Sequence, residues 1–127
     1  MILVIGGAYQ GKLDYVCQTF HVEKSQTADG ESCSPEEISR AAVLNHFHLL
    51  VKRLVKEGKD PFEAVRQILA ENPDLIIISN ELGYGVVPVD AFDRAYREAT
   101  GRVCCMLAQE AVQVHRVVCG LGQVLKG

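Results

Sequence analysis

The sequence has little of what marks a disordered, secreted or nucleic-acid-coating chain. Only four of its 127 residues are proline, and charged residues make up 23% against 48% hydrophobic. The low-hydropathy, high-charge composition that keeps a chain unfolded is therefore missing, and a folded core is expected. Positive charge is not in excess: 13 Lys and Arg stand against 16 Asp and Glu, a formal net charge of −3. General binding to a nucleic-acid backbone needs a cationic face and is excluded, so any phosphate site must be local. No apolar run reaches the roughly 18 to 20 residues that cross a bilayer. Met1 leads directly into a strand-like run, with no basic segment and signal core, and a cytoplasmic protein without a membrane span is expected. The five cysteines, Cys17, Cys33, Cys104, Cys105 and Cys119, include no C-x-x-C pair. Free and mostly buried thiols are expected, with no zinc framework. The length suits one domain, 1–127, around a single core.

What the sequence does have is an alternation of strand and helix signals. Ile2, Leu3, Val4 and Ile5 form a short apolar run closed by Gly6 and Gly7, the pattern of a buried parallel strand. A helix is predicted over 11–20, with Tyr15, Val16 and Phe20 on its apolar face. Residues 21–35 carry no firm element, although 20–23 has the makings of a brief strand. Ser34 before Pro35, Glu36 and Glu37 reads as a capped helix start. One long helix is predicted from there, on the spacing of Val43, Leu44, Phe47, Leu50, Val51 and Leu54, ending at Gly58. Asp60 and Pro61 open a second helix that Asn72 and Pro73 stop. Leu75, Ile76, Ile77 and Ile78 give the strongest strand signal, suited to a central position covered on both faces. Asp90 caps a helix that continues through Gly101. Val114 to Cys119 reads as a further strand, and Val124, Leu125 and Lys126 as a tail pairing at an edge. The alternation predicts an α/β fold with a mainly parallel sheet, whose ligands sit at the carboxyl ends of the strands.

Three segments fall at those ends: 6–12, 79–85 and 119–122. The first fits G-x-x-x-x-G-K-[ST] through Gly6, Gly11 and Lys12, between a strand and a helix, where a phosphate loop belongs. The candidate phosphate-binding residues are Gly6, Gly7, Ala8, Tyr9, Gln10, Gly11, Lys12 and Leu13. Glycines let successive N–H groups turn toward a phosphate, the helix start adds partial positive charge, and the lysine supplies a point charge. Leu13 stands where a hydroxyl would help hold Mg2+, so Mg2+ binding is expected to be weakened. In the second segment Asn80, Glu81, Gly83 and Gly85 follow the best strand. Glu81 there is a candidate to accept a proton, to hold a metal through water, or to cap backbone donors. His46 and His48, two apart on the predicted helix, point to different sides and do not share an ion. His48, Lys52 and Lys56 read as a solvated stripe. Asp29 with Glu31 reads as a polar turn.

These residues resemble the adenosylcobinamide kinase and adenosylcobinamide-phosphate guanylyltransferase family of cobalamin biosynthesis. Ile2, Leu3, Val4, Gly6, Gly7, Ala8, Gly11 and Lys12 agree with that family's amino-terminal I-L-V-T-G-G-A-R-S-G-K-S. Tyr9, Gln10 and Leu13 depart from it. Asn80, Glu81, Gly83, Gly85, Val87 and Pro88 reproduce its N-E-x-G-x-G-x-V-P, and Gly101, Arg102 and Val103 resemble its G-R-V-N-Q. The resemblance implies a three-layer P-loop NTPase fold of the RecA-like kind, reduced in size, and assembly as a homo-oligomer. It also implies ATP or GTP on the loop, Lys12 and Glu81 as catalytic residues, and a corrinoid as second substrate. The family's guanylylated histidine has no matching motif here, and its acidic strand end has only Asp29 as a weak counterpart. Two readings follow: a nucleotide-dependent kinase or nucleotidyltransferase, or an inactive relative serving as a binding, regulatory or scaffold module.

Overall fold

The computed structural model describes residues 1–82 and 90–127. The chain runs β1 (Ile2–Gly6), α1 (Lys12–Phe20), a short 3-10 turn (Lys24–Gln26), β2 (Thr27–Asp29), α2 (Pro35–Arg40), β3 (Val43–Asn45) and α3 (Phe47–Lys56). It continues with α4 (Pro61–Glu71), β4 (Ile76–Asn80), α5 (Ala91–Glu110), β5 (Gln113–Val118) and β6 (Leu121–Lys126). One sheet is formed in the order β2-β3-β4-β1-β5-β6. Every pair is parallel except β5 with β6.

Strand alternation divides the core in two. Leu3, Leu44, Ile77 and Val114 face a large cluster with Phe47, Leu50 and Val51 of α3, Val65 of α4, and Val103 and Leu107 of α5. Val4, Val43, Ile76, Ile78 and Val117 face the other way, where α1 covers them through Val16. The three consecutive isoleucines of β4 are thus buried on both faces, as expected of a central parallel strand.

The starts of α2, α4 and α5 follow the cap rules. Ser34 Oγ accepts from Glu37 N–H at 3.2 Å, and Asp60 and Asp90 accept from the N–H groups of Phe62 and Phe92. Gly58 ends α3 with φ +72°, a conformation open to glycine.

The single long helix predicted over 35–58 is corrected by the structure. It is α2, then strand β3, then α3. Val43 and Leu44 fit the helical spacing of Phe47 and Leu50, but they face opposite sides of the sheet and are fully buried on both. The brief strand expected at 20–23 is also corrected: β2 lies at Thr27–Asp29. α5 runs unbroken through Gly101. All five cysteines are free, but only Cys33 is buried, while Cys105 and Cys119 are exposed, so the expectation of mostly buried thiols does not hold. No helix among the described residues is long and apolar enough to cross a membrane.

Candidate functional site at the carboxyl edge of the sheet

Because β1 to β4 are parallel, their carboxyl ends meet at one edge. Gly6 pairs with Asn80 and Asp29 with Asn45. Along that edge lies a cavity of about 440 Å³ lined by the 8–14 loop and helix start, Lys24, Asn45, His46, His48, Leu49 and Asn80.

The loop after β1 is braced from behind. Gln10 Oε1 accepts from Cys119 N–H at 2.6 Å, and the Gln10 carbonyl accepts from Gly120 N–H at 2.8 Å. Gly11, at φ +80°, starts α1, and a Cβ at Gly6 would sit 2.5 Å from the Val117 carbonyl oxygen. The third predicted segment, 119–122, therefore supports the loop from the β5–β6 turn. Tyr9 stands at the loop tip with φ +59° and its side chain fully in solvent. Lys12 is buried at 8% exposure, and its Nζ donates to the Gly7 carbonyl at 2.7 Å. Burial lowers its pKa, and the negative charge of Glu81 works against that. A buried lysine folded onto its own loop is a cation held ready for an anionic ligand.

Opposite the loop stands a wall the sequence did not reveal. His46, at φ +54°, turns the chain from β3 into α3. Its Nδ1 lies 3.0 Å from Asp29 Oδ1. Burial opposes ionisation of Asp29, but bonds from the Glu31 N–H and from His46 prevail and lower its pKa. His48 is buried and accepts through Nδ1 from Asn80 N–H at 3.2 Å. Burial, with His46 and Lys12 nearby, pushes its pKa down to about 4. The solvated stripe predicted for His48, Lys52 and Lys56 is thereby corrected. Only the two lysines are exposed, and Lys52 lies 5.5 Å from the Tyr96 ring centre. The missed signal was the absence of any side-chain cap before α3, which left nothing in the sequence to separate it from the preceding residues.

Glu81 faces elsewhere. Its carboxylate takes two bonds from Arg116, at 2.8 and 3.2 Å, beside a second cavity of about 420 Å³ that includes Thr100, Gly101 and Cys104. Its backbone N–H donates to the Gly6 carbonyl at 2.8 Å, which ties β4's end to the loop after β1. Gly83 and Gly85 of the second loop fall within 83–89, outside the described residues.

The site does not fit a protein-held Mg2+. Leu13 offers no donor and packs toward the apolar core under α1. Asp14 is paired with Lys24, Asp29 with His46 and Glu81 with Arg116. Among the described residues no three His, Cys, Asp or Glu side chains are grouped to hold a metal.

The mainly parallel α/β sheet agrees with the comparisons to known proteins. The family model described as cobinamide kinase / cobinamide phosphate guanyltransferase matches residues 22–125. The chain belongs to this family. The cobinamide kinase family has a P-loop NTPase fold, and the present α/β sheet conforms to it. The bifunctional adenosylcobalamin biosynthesis protein CobU of Escherichia coli is 38% identical over 180 aligned positions that cover 99% of both chains. CobP of Pseudomonas aeruginosa, named likewise, is 38% identical over 66 residues, 51% of this chain and 38% of that protein. CobU of Salmonella typhimurium is 38% identical over 52 residues, 29% of its length. In these last two matches the chain spans well under half of the relative.

Proposed function

We propose that this member of the cobinamide kinase family binds ATP or GTP at Gly6, Gly7, Ala8, Tyr9, Gln10, Gly11, Lys12 and Leu13 and transfers a phosphoryl group from it to a corrinoid hydroxyl. The observation that carries this reading is Lys12: a buried cation, 2.7 Å from the Gly7 carbonyl, in a cavity at the carboxyl edge of a parallel sheet. The relatives' shared name as bifunctional adenosylcobalamin biosynthesis proteins supports the corrinoid. In this reading a nucleotide's phosphates replace the Gly7 carbonyl as the partner of Lys12 Nζ. The loop N–H groups and the start of α1 hold the remaining oxygens. Glu81, locked to Arg116, positions the loop through its backbone bond to Gly6 and acts as no proton acceptor. Any Mg2+ enters bound to the nucleotide. The family's nucleotidyl transfer is not assigned to a residue.

Calorimetry with ATP and GTP, each with Mg2+ and with EDTA, tests the reading. Binding is expected in both conditions, with Lys12→Ala lowering affinity at least tenfold, about 1.4 kcal/mol. No binding of either nucleotide would end it. The alternative, a binding or regulatory module without turnover, draws on Leu13 and the unfitted metal site. Nucleotide binding without phosphoryl transfer to cobinamide would favour it.

A further inference from the structure

His46 and His48 are held in opposite tautomers on one wall of the Lys12 cavity. The Asp29 carboxylate only accepts, so the hydrogen in the 3.0 Å contact belongs to His46 Nδ1, and in the neutral ring Nε2 bears a lone pair. His48 Nδ1 accepts from Asn80 N–H, so its hydrogen is on Nε2. The rings meet edge to face at 5.9 Å between centres. Both line the same cavity as Lys12. The backbone enforces the first pair: Gly30 N–H donates to the Asn45 carbonyl at 2.8 Å, and a Cβ at Gly30 would overlap the His46 carbonyl oxygen. A side chain at residue 30 would push Asp29 off the ring.

We propose that His46 is the general base of the reaction, oriented by Asp29, with His48 a neutral hydrogen-bond donor beside it. This rests on the proposed phosphoryl transfer. The acceptor hydroxyl oxygen forms a bond to the γ-phosphorus, the bond from that phosphorus to the bridging oxygen breaks, and the nucleoside diphosphate leaves with the electron pair. The hydroxyl proton passes to His46 Nε2. Asp29 keeps the ring turned and steadies the imidazolium that forms, the part a carboxylate plays behind a catalytic histidine. Among the described residues, the other titratable groups lining the cavity with the ring are His48 on α3, Tyr9 at the loop tip, Lys12 and Asp14 on α1, and Lys24. Asp14 and Lys24 are paired with each other.

The test compares the full chain with His46→Asn and Asp29→Asn, using ATP and cobinamide. Asparagine tolerates the left-handed backbone at this position, and His46→Gln serves as a second variant should His46→Asn fold poorly. Nucleotide binding is measured first by calorimetry. Both His46 variants are expected to bind ATP within about threefold of wild type while kcat falls on the order of 100- to 10,000-fold. Wild type is expected to lose rate as pH falls. That acid limb is absent from the residual rate of the His46 variants and displaced in Asp29→Asn. A folded, ATP-binding His46 variant with near-normal kcat and an intact acid limb would overturn the proposal. So would a nucleotidyl group trapped on His46, which makes the ring a nucleophile. ATP binding with no transfer by wild type overturns it as well. Absence of ATP binding by wild type would remove the reading beneath it.

Discussion

His48 couples the site to pH through stability. Its folded pKa, about 4, lies below that of an unfolded histidine. Between roughly pH 6.5 and 4 the unfolded chain therefore holds the extra proton, and stability falls as pH falls through that window. The effect is about 2 kcal/mol, allowing for water on the cavity side of the ring. Chemical denaturation at pH 7.5 and pH 5 is expected to show this loss in wild type and a smaller one in His48→Gln. Burial lowers the pKa of His115 too, and its ring bonds Tyr15 and Gln113 at 2.8 Å each, so part of the acid sensitivity remains. Thr27 Oγ1 is buried without a partner among the described residues. Thr27→Val keeps the shape and removes an unmatched hydroxyl, so the denaturation midpoint is expected to rise by the equivalent of about 1 kcal/mol.

At the scale of elements the decisive piece is β3. It carries Val43 and Leu44 into the sheet and ends at Asn45, delivering His46 to the cavity wall. Leu44 is fully buried, and Leu44→Ala is expected to cost about 2 to 5 kcal/mol in urea unfolding. Gly30→Ala acts on the junction of β2 with the β3–α3 turn. It is expected to lower both stability and phosphoryl transfer while leaving ATP binding within about threefold, measured by melting, turnover and calorimetry. Much of this scale was legible in the sequence, because strands β1 and β4 announce themselves by unbroken aliphatic runs and α2, α4 and α5 by their capping residues. β3 was not. Three residues are too few for a period-two pattern to outvote the three- and four-residue spacing of Val43, Leu44, Phe47, Leu50 and Val51, and only pairing with β2 and β4 shows that Val43 and Leu44 point to opposite faces.

For the whole molecule, the sheet's far edge remains open. Leu121, Val124 and Leu125 of β6 are each more than half exposed, and among the described residues β6 pairs only with β5, leaving an edge of the kind that associates. We propose that the homo-oligomer implied by the family resemblance buries this strip. Light scattering is expected to give a mass above one chain, reduced to one chain by Leu121→Glu with Leu125→Glu. The sequence by itself determined the α/β alternation and the place of the glycine loop and its lysine between β1 and α1, because these depend on local runs, turn glycines and a fixed spacing. Tertiary structure alone decided that Asp29 meets His46 across 17 residues, that His48 is buried, and that Glu81 binds Arg116 rather than the Lys12 cavity. Such contacts depend on which strand ends the sheet order sets side by side, and nothing in a linear spacing fixes that order.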